Sequence, residues 1–158
     1  MAGGGGCRTR ERLERGVGAV TPLKQIYRHS PPLAYGDCFR TCIASLLDYG
    51  YPMMVPHFCS GKASNDGVWV QDARKWLALR KLTFFEIPFD LDPDELLAQS
   101  KQWFHGHWLM TAESKNGVGH CLICLDGKIV HNPALDAEPD DIFSRAGGYT
   151  WAGWLSVL

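Results

Sequence analysis

The sequence predicts an α+β fold, with helices first and an antiparallel set of strands after them. Three observations carry this. The stretch Tyr35–Leu47, YGDCFRTCIASLL, runs from a Gly36-Asp37 turn into apolar positions at helical spacing. Val68–Leu82 repeats that periodicity. From Trp103 onward the pattern turns to short strands, two of them separated by Asp126-Gly127, the strongest hairpin signal in the chain. Helices and strands segregated along the chain point to α+β rather than alternating α/β.

The elements follow in order. Residues 1–18 read as a flexible tail, since the run Gly3–Gly6 holds no structure and Arg8–Arg15 is nearly all charge. A single domain is expected over residues 19–158. Val20–Tyr27 reads as a short extended segment, and Ser30-Pro31-Pro32 forces an extended or turn path. In the first helix Phe39, Ile43, Leu46 and Leu47 point inward, Asp37 is the N-cap, and Gly50 with Pro52 ends the element. Met53–Phe58 should cross the surface, and Ser60–Asp66 is a polar loop. The second helix covers Val68–Leu82, and the strand Thr83–Ile87 is broken at Pro88–Pro93. A third helix starts at Asp92 or Pro93 and runs through Lys101. Strands follow at Trp108–Ala112, His120–Leu125 and Lys128–His131, with Asn132-Pro133 ending the last. Asp136–Phe143 reads as a loop with a helical turn near Asp140–Ser144, and Tyr149–Leu158 as a closing strand.

Composition narrows the function. The chain has 158 residues, 46% hydrophobic and 21% charged, enough for one core and a composition that fits a globular rather than a disordered chain. A net charge of −1 gives no pull toward nucleic acid or anionic membrane, and no apolar run spans a bilayer. The N-terminus has no apolar h-region, so the expected location is cytoplasmic and the six cysteines are expected to be reduced.

The chemistry gathers at Cys38. A thiol in the first turn of a helix faces free N–H groups and the positive end of the dipole, which favour the thiolate. A thiolate also needs a base and an orienter. His120 begins a strand, and pairing across the Asp126-Gly127 turn brings the end of the next strand toward it. That makes Asn132 the candidate to accept from the imidazole and fix its tautomer. Cys38, His120 and Asn132 thus have the logic of a Cys-His-Asn triad.

The order GDCFRTCIASLL … GHCLICLDGKIVHNP resembles the papain-like cysteine peptidase superfamily, over roughly residues 25–133. It is most similar to the branch containing the peptidase domains of bacteriocin-processing transporters, and to small papain-like proteins of bacteria and their phages. The resemblance implies a papain-like α+β fold with Cys38 as nucleophile, His120 as base and Asn132 as orienter. It also implies a peptide or protein substrate, no cofactor and no metal. The family's upstream glutamine, which completes the oxyanion hole with the nucleophile's own N–H, corresponds to Gln25. Two positions depart from the pattern: Gln25 lies far upstream of Cys38, and Phe39 stands where a glycine usually follows the nucleophile.

Two rival readings remain. Cys38, Cys42, His120, Cys121 and Cys124 include C-x3-C and C-x2-C spacings that suit zinc, although residues three apart on a strand face opposite ways. A binding module that keeps the fold without the chemistry is the other; its Cys38 would have an ordinary thiol pKa. The six tryptophans read as core or groove walls.

Overall fold

The computed structural model describes residues 20–60, 67–136 and 142–158. The expected N-terminal tail lies outside them, as do residues 61–66 of the expected polar loop and 137–141 of the acidic one. Three helices, α1 (Cys38–Leu46), α2 (Val68–Ala78) and α3 (Pro93–Trp103), accompany six strands among the described residues. The strands are β1 (Leu82–Phe89), β2 (Trp108–Ser114), β3 (Gly119–Leu125), β4 (Lys128–His131), β5 (Ile142–Ser144) and β6 (Thr150–Val157). They form an antiparallel sheet ordered β1-β6-β2-β3-β4, with β5 paired to β2 off that path. The architecture is α+β, and no helix among the described residues is long and apolar enough to cross a membrane.

The sheet is covered on both faces. On one, Ile43 of α1 and Leu77 of α2 pack with Phe84, Leu109, Cys121 and Ile123. On the other, Leu96 of α3 packs with Trp108, Met110, Leu122 and Cys124. Successive residues of β3 therefore serve opposite cores, which is why HCLICL is an unbroken apolar run rather than an alternating one. Helix α1 is buried from Phe39 to Leu46, Arg40 included.

Several boundaries differ from expectation, each for a local reason. Helix α1 ends before Gly50: Asp48 takes the left-handed conformation (φ 59°) after the C-cap Leu47. The stretch Met53–Phe58 is not wholly on the surface, since Val55 and Phe58 are buried in the core beside α1. Helix α2 stops at Ala78, because Leu79 is exposed and Lys81 turns left-handed (φ 60°), so that Leu82 enters the core as the first residue of β1. Pro88 does not break β1; it pairs with Trp151 on an edge strand, where no ladder hydrogen bond is lost to a second neighbour. Ile142–Ser144 is a short strand against Glu113 and Ser114, not part of a helical turn. The start of α3 is as read, with Asp92 at the N-cap, Pro93 following, and Glu95 accepting the Asp92 N–H at 3.0 Å.

Candidate active site

The Asp126-Gly127 turn has both central residues at positive φ (50° and 74°) and joins Leu125 to its partner Lys128. This is the two-residue geometry that matches strand twist. Further along the hairpin the register slips. Cys124 pairs with Ile129 but Ile123 pairs with His131, leaving half-exposed Val130 as the extra residue of a bulge. Continued by one residue, this register sets Asn132 across from Leu122, on the face Leu122 shares with His120. Without the bulge Asn132 would oppose Cys121 and face the other way. The bulge is thus what turns Asn132 toward the imidazole.

The contact follows. The Nε2–H of buried His120 donates to Oδ1 of Asn132 at 2.9 Å. The same Oδ1 accepts the Ala134 N–H at 3.0 Å, which fixes which way the amide points. With Nε2 committed, Nδ1 is the ring nitrogen left for the sulfur. Cys38 is half-buried at the start of α1 and hydrogen-bonded to His120. Burial pushes its thiol up, but the bond to His120, the imidazolium charge, and backbone bonds from Cys121 and Phe39 outweigh burial. The net direction is below an ordinary thiol. The structure thus brings Cys38, His120 and Asn132 together in one hydrogen-bonded chain.

Gln25 lies at the same place. It lines a cleft of about 510 Å³ together with Cys38 and His120. Its sequence distance from Cys38 is taken up by a closed excursion. Ser30 and Ala34 exchange backbone hydrogen bonds at 2.9 and 3.0 Å, and the Gly36 N–H donates to His29 Nδ1 at 3.3 Å. Gly36 permits that closure, since a Cβ there would stand 3.2 Å from the His29 Cβ. The Gln25 Nε2 donates to Tyr27 O at 3.0 Å, leaving one amide hydrogen uncommitted by that bond. The rim of the cleft carries Arg28, paired with Asp136, and Lys115, whereas no tryptophan lines it.

Asp37 holds the N-cap position, but its carboxylate does not cap the helix. It accepts instead from Ile26 N (3.0 Å) and Tyr27 N (2.9 Å) on Oδ1 and from Arg40 Nε (2.9 Å) on Oδ2. Lys24, which the sequence reading passed over, donates to Asn132 O at 3.2 Å and Ala134 O at 2.8 Å. An Asp and an Arg three apart in a first helical turn were the available signal for the first network. Nothing local marked Lys24.

Among the described residues no group of three or more His, Cys, Asp and Glu side chains is placed to hold a metal ion. Cys121 and Cys124 belong to cores on opposite faces of the sheet. The buried Cys42 thiol meets Cys121 O at 3.4 Å.

Compared with known protein families, curated proteins and solved structures, the chain matches none.

Proposed function

We propose that the chain is a papain-like, thiol-dependent hydrolase that cleaves a peptide, isopeptide or other amide bond through an acyl-enzyme. The observation that carries this reading is the hydrogen-bonded succession Cys38–His120–Asn132, set in a cleft that Gln25 also lines. Cys38 Sγ attacks the carbonyl carbon, and the carbonyl π pair moves onto oxygen. The Cys38 N–H and the Gln25 amide face that oxyanion. On collapse the C–N bond breaks, His120 gives its proton to the leaving amine, and a thioester remains. Water, losing a proton to His120, then adds to the thioester carbonyl, and the C–S bond breaks to release the acid and the thiolate. Throughout, the Asn132 oxygen holds the ring by its Nε2–H and stabilises the imidazolium.

The test uses p-nitrophenyl acetate, a small activated ester. One equivalent of p-nitrophenolate per chain is expected in a burst, with the acetyl group found by mass spectrometry on the peptide carrying Cys38. Cys38→Ala should abolish the burst. A burst that survives in Cys38→Ala, or an acetyl group on another residue, would overturn the assignment. A wild-type chain that never acylates would point to a binding module with the same fold.

A further inference from the structure

We infer that Asp37 is a positioning residue for the oxyanion site: its buried carboxylate holds the extended segment that carries Gln25 against the mouth of α1. The inference rests on the reading of Cys38 as the nucleophile. Asp37 is 2% exposed, and its side chain is fully covered. Burying a carboxylate is unfavourable through lost hydration unless it is paired and hydrogen-bonded. A residue that only started the helix would turn to the helix N–H groups, as aspartates at that position do. Asp37 does not. It takes the N–H groups of Ile26 and Tyr27 from eleven and ten residues upstream, and Arg40 from within the helix supplies the counter-charge.

The rest of the segment shows what is being held. Tyr27, fixed by its N–H, presents the carbonyl that receives the Gln25 side-chain amide at 3.0 Å. Carboxylate, Tyr27 backbone and Gln25 amide therefore form one line. On the other side, the Gln25 N–H donates to Pro133 O at 2.8 Å, and Lys24 spans the carbonyls of Asn132 and Ala134. Residues 24–27 thus bridge the residue before the nucleophile and the turn after the orienter. Gln25 Oε1 is buried and has no hydrogen-bond partner among the described residues. The amide is therefore held by its Nε2 bond and by the backbone on either side, and the grip of Asp37 on Tyr27 decides where it stands.

The experiment compares two reactions at Cys38. Acylation by p-nitrophenyl acetate builds an oxyanion, whereas alkylation by iodoacetamide does not. Asp37→Asn places an amide where a carboxylate balanced Arg40, so one amide orientation loses the Ile26 and Tyr27 N–H contacts and the other loses the Arg40 contacts and leaves its charge unbalanced. Acylation should fall about 10-fold or more, a complete oxyanion donor being worth about 100-fold, while alkylation changes less than about 3-fold. On a Gln25→Ala background the same substitution should add less than about 2-fold, because Asp37 acts through Gln25. Equal slowing of both reactions, or independent multiplication in the double variant, would overturn the inference. If Asp37→Asn does not fold, Arg40→Gln removes the counter-charge and carries the same comparison. A wild-type chain that alkylates but never acylates at Cys38 would remove the enzymatic reading first, and this inference with it.

Discussion

Cys38 and Cys42 lie one turn apart on the same helix, and their thiols move in opposite directions. Burial is the largest influence on both and pushes both up. At Cys42 nothing opposes it: the neighbouring thiols Cys121, Cys38 and Cys124 add to it, and the pKa stands well above an ordinary thiol. At Cys38 the imidazole of His120 and two backbone donors reverse the sign. Cys124, buried on the opposite face of the sheet, behaves like Cys42. The difference lies in the partners: first-turn position alone does not offset burial, which works against the thiolate at both sites. What decides is the partner that the strand β3 delivers.

The largest expected effect breaks that difference at its source. In His120→Ala the lowering influences of the imidazole vanish and burial remains, so the Cys38 thiol should move toward the behaviour of Cys42. Iodoacetamide alkylation at pH 7 should slow by about 10- to 100-fold, as the thiolate fraction falls. In the wild type the rate should already rise with pH below the ordinary thiol value of about 8.5, and the variant's rise should shift above it. The same sign governs stability. Because the folded thiol titrates below its unfolded value, the pairing stabilises the fold above about pH 8.5 and is lost as pH falls through the lower folded pKa. An unchanged alkylation profile in His120→Ala would show that the imidazole does not set the thiol.

A smaller effect sharpens the comparison. Asn132→Ala leaves the His120–Cys38 contact but frees the ring from its 2.9 Å partner and takes the acceptor from Ala134 N–H. On the proposed mechanism, acylation by p-nitrophenyl acetate should fall by about 10-fold, less than for His120→Ala, because the ring would lose its orienting partner but keep its place beside Cys38. A loss as large as that of His120→Ala would mean that Asn132 holds the local fold instead.

Much of this was legible in the residues, and the reasons are local. The helix mouth at Cys38, the hairpin at Asp126-Gly127 and the capping residues Asp92, Pro93 and Glu95 each carry their signal within a few positions. What was not legible depends on partners far along the chain. The bulge at Val130 turns Asn132 toward His120, yet nothing in KIVHNP marks an extra residue. Gln25 stood out as distant because sequence separation does not reveal a loop that closes on itself through His29 and Gly36. Asp37 looked like an ordinary cap, since its true partners, Ile26 and Tyr27, offer only backbone N–H groups that any residue would supply. The end of α2 was overrun because Leu79 and Leu82 continue an apolar pattern while one is exposed and the other belongs to a strand.

The smallest expected effect on reactivity tests the other member of the pair. Cys42→Ala removes one buried sulfur that touches Cys121 O at 3.4 Å and sits in a filled core. Deleting one buried heavy atom leaves a small void worth about 1 kcal/mol, which lowers the melting temperature by about 2–4 °C for a chain of this size. None of the influences that set the Cys38 thiol comes from Cys42, so alkylation of Cys38 should stay within about 2-fold of the wild type. The two thiols would then separate cleanly, one measured by rate and the other by melting. A Cys42→Ala variant that melts unchanged while Cys38 loses its reactivity would reverse the assignment, and would make Cys42 part of the site rather than of the core beneath it.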